Sequence, residues 1–99
     1  MTDMRLAIQG IDFEWDTNKA IRNESKHGIS FETACNAFFD PFLQAQDDET
    51  VSDEIRHTVI GMTTTWQLLY IVYVWRGDSI RLVSARVTTT FERKNYEDR

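Results

Sequence analysis

Apolar and polar residues alternate along Ile11-Asp-Phe-Glu-Trp15, the period-two pattern of a short strand with Ile11, Phe13 and Trp15 on one face. Asp16 can cap a helix by accepting the orphan N–H groups of its first turn. Residues 17–27 therefore read as a helix, and Gly28 supplies its left-handed stop. Only Ala20 and Ile21 are apolar within it, so this helix belongs on the surface and turns Lys19, Arg22, Asn23, Lys26 and His27 outward. The next helix is the best patterned. Ser30 is its cap, and Phe31, Ala34, Cys35, Phe38 and Phe39 recur at the spacing of a buried stripe. Pro41 disfavours helical geometry at Asp40 and should stop the helix near Phe39.

Residues 42–46 fit a short strand, and residues 47–54 form an acidic connection that lacks the central Gly and terminal Glu spacing of a calcium loop. Residues 55–62 read as a strand, Thr63-Thr64-Thr65 as a turn, and residues 66–90 as the clearest hairpin in the chain, closed by Gly77-Asp78. Simple pairing across that loop sets Arg76 opposite Ser79, Val74 opposite Arg81, Ile71 opposite Ser84 and Leu69 opposite Arg86. Strand parity then sends Arg81 and Arg86 to opposite faces. Three sequential strands joined in this way make an antiparallel meander. Residues 91–99 are a short charged helix candidate, and residues 1–10 are an edge strand or a flexible arm.

The 99 residues suit one domain, 1–99, able to bury a core without disulfides or metal. The single Cys35 lies on the buried helical stripe and reads as a small core residue rather than a nucleophile. The chain start has no basic region followed by an apolar signal core, and residues 68–75, the longest apolar run, are too few to span a bilayer as a helix. A cytoplasmic protein without a membrane anchor is expected. The net charge of −5 opposes nonspecific nucleic-acid binding by the whole surface. It also conceals an asymmetry: residues 1–54 carry four basic and twelve acidic side chains, and residues 55–96 carry six basic and two acidic. This asymmetry allows a basic site on an acidic body.

No Gly-rich phosphate loop, Cys pair or His-Glu-x-x-His motif is present, and two separated histidines, His27 and His57, read better as something other than metal ligands. Neither a cofactor nor a metal is expected. What remains is a set of strand arginines, Arg56, Arg76, Arg81 and Arg86, with Trp66, Tyr70, Tyr73 and Trp75 interleaved. Guanidinium groups bind phosphate and aromatic faces stack on unpaired bases, so this combination suits single-stranded RNA. Core packing is the competing reading for Trp66, Tyr70 and Tyr73.

An ordered series of short motifs then resembles the BrnT toxins of bacterial type II toxin–antitoxin modules. The series is Phe13-Glu-Trp-Asp-Thr-Asn-Lys19, Asn23, Lys26-His27-Gly28-Ile-Ser-Phe31-Glu, Phe38-Phe-Asp40-Pro41, Glu54-Ile-Arg56, Ile60-Gly61, Val72-Tyr-Val-Trp-Arg-Gly77, Ile80-Arg-Leu-Val-Ser84-Ala-Arg86, Glu92 and Tyr96. The resemblance covers about residues 11–97. It implies an α+β, RelE-like fold: an antiparallel sheet of about four to five strands with two N-terminal helices and a short C-terminal helix. It also implies a ribonuclease that arrests translation, on free or ribosome-associated RNA, until neutralised by a BrnA-like DNA-binding antitoxin. Operator DNA would be reached only through that antitoxin.

For metal-independent cleavage, Arg56, Arg81 and Arg86 are the candidates for phosphate binding and charge stabilisation. His57, His27 and Lys26 are candidates for proton transfer, and Tyr96 for an acid or a stacking surface. Arg76, Tyr73 and Trp75 are candidate RNA-binding residues. Arg56 and His57 are adjacent on one strand and share a site only if a bulge intervenes. A noncatalytic or degenerate protein-binding module is the alternative. The two readings separate on whether Arg81 and Arg86 face a shared open concavity or are buried in salt bridges.

Overall fold

The computed structural model describes residues 3–98. The elements run β1 (Asp3–Ile8), β2 (Ile11–Asp16), α1 (Thr17–His27), α2 (Phe31–Ala37), β3 (Gln44–Ala45), β4 (Glu49–Val51), β5 (Glu54–Met62), β6 (Leu68–Arg76), β7 (Ser79–Val87) and α3 (Thr90–Glu97). The strands form one seven-stranded sheet in the order β1-β2-β7-β6-β5-β3, with β4 paired to β5 off that path. All pairs are antiparallel except β2–β7, which is parallel through Phe13–Ile80 and Glu14–Arg81.

Local chemistry explains the elements that were expected. Asp16 caps α1 by accepting the Asn18 N–H at 2.9 Å, and Gly28 ends the helix at φ 73° while donating to the Glu24 carbonyl. Ser30 caps α2, whose buried stripe is Phe31, Ala34, Cys35 and Ala37. That helix ends earlier than expected, at Ala37; Phe38 and Phe39 lie in the turn and set their rings edge-on against Phe13, with centroids 5.4 and 6.2 Å away. The β5-β6-β7 meander is present, and Gly77 closes its second hairpin at φ 59°.

Other expectations require correction. The sheet is mixed and has seven strands rather than four or five, and the two helices called N-terminal, α1 and α2, follow a complete β1–β2 hairpin. Of the two readings for the start of the chain, the edge strand holds over residues 3–8, folded onto β2, whereas the acidic connection was not expected to contain β4 folded onto β5. The turns of both hairpins, Gln9-Gly10 and Ser52-Asp53, hold their two central residues at positive φ. That geometry matches strand twist, but neither pair is the usual Asn-Gly or Asp-Gly signal. Trp66 is not a strand residue: it sits at φ 66° in the turn before β6 and is 81% exposed.

The hairpin register differs as well. Tyr73 faces Leu82 but Val72 faces Ser84, so Val83 bulges out of β7. Beyond the bulge the pairs are Val72–Ser84, Ile71–Ala85 and Tyr70–Arg86. One extra residue reverses the parity, and Arg81 and Arg86 therefore occupy the same face of the sheet.

The opposite face carries the core. Phe13, Trp15, Val59, Leu69, Ile71, Leu82 and Ala85 pack beneath Phe31, Ala34, Cys35 and Ala37. Burial pushes the Cys35 thiol up to about 12, with Glu32 adding to the effect. Gly61 is where α2 approaches the sheet most closely, and a Cβ there would lie 2.4 Å from the Ala37 carbonyl oxygen. Since the obstruction is backbone, Gly61→Ala should cost about 2 kcal/mol or more, measurable as a lower midpoint in urea unfolding with an unchanged m-value.

Candidate functional site

On the face away from α2 the alternation of three strands brings together Arg56 and Thr58 of β5, Tyr70, Val72, Val74 and Arg76 of β6, and Arg81, Ser84 and Arg86 of β7. α3 covers one end of this face, where Tyr96 packs on Ile60 and Leu68. The remainder is a concavity. One hollow holds Asp47, Asp48, Glu49, Arg56, Thr58, Tyr70, Val72, Val83 and Ser84. A second, continuous with it at Arg56 and Val83, holds Asp16, Lys19, Glu54, Arg76 and Arg81. A third, joined at Lys19 and Val83, is walled by Arg22, Asn23, Lys26, His27 and Ser84.

The α1 wall exists because β2 parts from β7 after Glu14, so that β7 beyond Arg81 has no strand neighbour on that side. Asn23 takes the strand's place. Its side-chain NH2 donates to the carbonyls of Ala85 and Ile29 at 2.9 and 3.0 Å, and its oxygen accepts the Ala85 N–H at 3.0 Å. A primary amide presents one donor face and one acceptor, as a peptide does, and can terminate a ladder. Asn23 was expected to face outward; it is 7% exposed and is an anchor of the fold.

The cations of this face fall into two groups. Arg81 donates to Glu14 at 2.6 Å and to both Asp3 oxygens at 3.2 and 3.3 Å. These hydrogen bonds, Asp3 foremost, raise the Arg81 pKa and lower that of Asp3. Arg86 forms a two-pronged pair with Glu92 at 2.8 and 2.9 Å and lies 4.0 Å over the Tyr70 ring. Arg76 is paired with Glu54. By contrast, among the described residues Arg56, Lys19, Arg22 and Lys26 have no carboxylate within ion-pair distance. The unpaired charges thus gather around Val83.

The expected site residues do not form one constellation. Arg56, Arg76 and Arg81 share a hollow, Lys26 and His27 line the adjoining wall, and Arg86 lies on the same face but is occupied by Glu92. His57 projects to the other face, where Nδ1 is 3.1 Å from Asp48 and the ring lies 5.3 Å from Tyr73. No bulge interrupts the β5–β6 pairing to bring it round. Tyr73 and Trp75 share that opposite face in edge contact at 6.0 Å, and burial raises the Tyr73 pKa. Tyr96 is buried and its hydroxyl donates to Asp40 at 2.6 Å, away from the concavity.

Asp40 is itself a junction. Its oxygens also accept the Phe42 N–H at 2.9 Å and the Met62 N–H at 2.7 Å. Lys19 and Arg22 are the residues that strand-based reasoning did not assign to a site. Their spacing with Lys26 along one helix face was visible, but the unpaired edge of β7 beside them was not.

The fold is thus α+β, with unpaired cations and carboxylates lining opposite walls of one concavity. Comparison with known proteins narrows the class. The crystal structure of the Brucella abortus ribonuclease toxin BrnT is similar, with a TM-score of 0.54 and 22% identity over 77% of this chain and 94% of that one, a likeness of fold. No curated protein sequence matches. The family model described as the ribonuclease toxin BrnT of type II toxin–antitoxin systems matches residues 15–92. The chain belongs to that family.

The Arg86–Glu92 pair sets a pH dependence. Hydrogen bonding from Arg86, assisted by the Thr89 N–H, holds the Glu92 carboxyl below the usual range. Its contribution to stability is fully present above the unfolded value of about 4.3 and disappears as pH falls through the lower folded value. Thermal midpoints should therefore drop less steeply with acidification in Glu92→Gln than in the parent, and Glu92→Gln at neutral pH should lose about 1 kcal/mol.

Proposed function

We propose that this chain is a metal-independent endoribonuclease that arrests translation and is neutralised by a BrnA-like antitoxin, the two together repressing their operon through the antitoxin's DNA-binding part. The observation that carries the reading is Arg56, an unpaired guanidinium where two hollows of the concavity meet. In the reaction the RNA 2′-hydroxyl gives its proton to a base, and its oxygen bonds to the adjacent phosphorus. The bond to the 5′-oxygen breaks and an acid protonates that oxygen, leaving a 2′,3′-cyclic phosphate and a 5′-hydroxyl. Arg56 binds the phosphate and stabilises the charge that develops on it, so the proposed chemistry draws on no metal. Lys26 and His27, on the adjoining wall, are the proton-transfer groups of the proposal, and Arg76 steers the strand from the rim.

Arg81 and Arg86 act in this scheme mainly by position. Their carboxylate partners hold them in place and neutralise them, so they shape the floor of the concavity without direct contact with RNA. That same internal pairing favours a second reading, a noncatalytic or degenerate binding module, because it leaves one unpaired strand arginine for substrate.

Cleavage of end-labelled single-stranded RNA by the purified chain decides between them. Arg56→Ala should lower kcat by about 10²–10³-fold with stability within about 0.5 kcal/mol of the parent, and Arg56→Lys should recover only part of the loss. Cleavage should survive a chelator, and growth arrest on expression should be relieved by co-expressing the antitoxin. An Arg56→Ala protein that cuts normally would sink the assignment, and a parent that neither cuts RNA nor arrests growth would favour the binding module.

A further inference from the structure

We propose that the RNA strand flanking the scissile phosphate leaves the concavity on one side only, along α1 over Lys19 and Arg22, because the opposite wall is acidic. The inference rests on the ribonuclease reading and adds to it a direction and two positioning residues. Lys19 belongs to both the hollow that contains Arg56 and the hollow that contains Arg22, so an anion path between them is continuous. Neither side chain has a carboxylate within ion-pair distance among the described residues. The helix cannot readily rotate these cations away, since the Asn23 amide ties it to Ala85 and Ile29. From Lys19 to Lys26 the helix advances by about 10 Å, a track rather than a point.

The other wall has the opposite sign. Asp47 and Glu49 border the hollow that contains Arg56, and Glu49 lies directly opposite Arg56 in the β4–β5 pairing, while the neighbouring Asp48 carboxylate is held by His57. A phosphate leaving in that direction meets carboxylates at short range, whereas one leaving over α1 passes Lys19, Arg22 and Lys26 and the neutral bulge at Val83–Ser84, the carboxylates there being Glu54, paired with Arg76, and Asp16, which caps α1. The overall acidity of the protein thus has a local role: it makes one exit unfavourable.

The test uses the full chain and three fluorescent single-stranded RNAs: a minimal oligonucleotide with one cut site, and the same sequence extended with uridines on its 5′ or its 3′ side. One extension should lower KM by about tenfold and the other should not. The double variant Lys19→Ala/Arg22→Ala should bring the KM of the favoured substrate back to that of the minimal one. It should also reduce the slope of log KM against log salt by about 1.4, or 0.7 for each lost phosphate contact, while Lys94→Ala on α3 leaves the slope unchanged. Asp47→Asn/Glu49→Gln should make the second extension favourable. Equal gains from both extensions, or a double variant with the parental salt slope, would overturn the path while leaving the ribonuclease intact. A parent that cuts none of the substrates overturns the ribonuclease reading and the path together. A double variant that keeps its RNA affinity but loses the antitoxin would identify the α1 face as a protein interface instead.

Discussion

One surplus residue in β7 decides how this molecule presents its charge. Were the β6–β7 ladder regular, Arg81 and Arg86 would point to opposite sides, one of them into the core beneath α1 and α2. The bulge at Val83 keeps Leu82 and Ala85 on the core side and both arginines on the other. It also places an apolar side chain where the three hollows meet, so the same irregularity that orders the core shapes the concavity. The fold of α1 against the sheet depends on this region too, since Asn23 bonds to Ala85 just past the bulge.

Charge follows from that geometry. A guanidinium on a half-covered strand must find a partner or water, and Arg81 and Arg86 find carboxylates from β1, β2 and α3. Those carboxylates account for part of the acidity of the chain and serve as structural counterions rather than as a repulsive surface. A net charge of −5 therefore says little about the concavity, where the cations left over after pairing are Arg56 and the row on α1, set across from the carboxylates of Asp47 and Glu49. Partition of charge, more than its sum, is the relevant quantity for a polyanion.

Elements governed by short-range chemistry were legible in the chain. The Asp16 cap, the Gly28 stop, the Ser30 stripe and the Gly77-Asp78 loop each depend on residues within one or two turns of one another. The features that were not legible depend on distant partners or on turns without their usual residues. Gln9-Gly10 and Ser52-Asp53 adopt positive φ without the common signal, so the first hairpin was left open between edge strand and arm and the second passed for a loop. The parallel β2–β7 contact joins residues far apart in sequence, and nothing local in Val83 marks it for a bulge. Of the candidate site, the strand arginines were recognisable by type and position. Their pairing was not, because Glu14 and Glu54 become neighbours only through the sheet, and Glu92 reaches Arg86 only through the turn from β7 into α3.

The Asp40 carboxylate has a temporal consequence. It collects a donor from its own turn at Phe42, then one from Met62 at the end of β5, then the hydroxyl of Tyr96, fifty-six residues downstream. Synthesis supplies these donors in that order. While the chain is still emerging from the ribosome, the junction holding α2, β5 and α3 together stays incomplete, and so does the clamp on Arg86, whose Glu92 arrives with the same late helix. A nascent chain of this sequence would thus acquire its finished electrostatic surface only after α3 has been made, and until then Arg86 stands without its counterion.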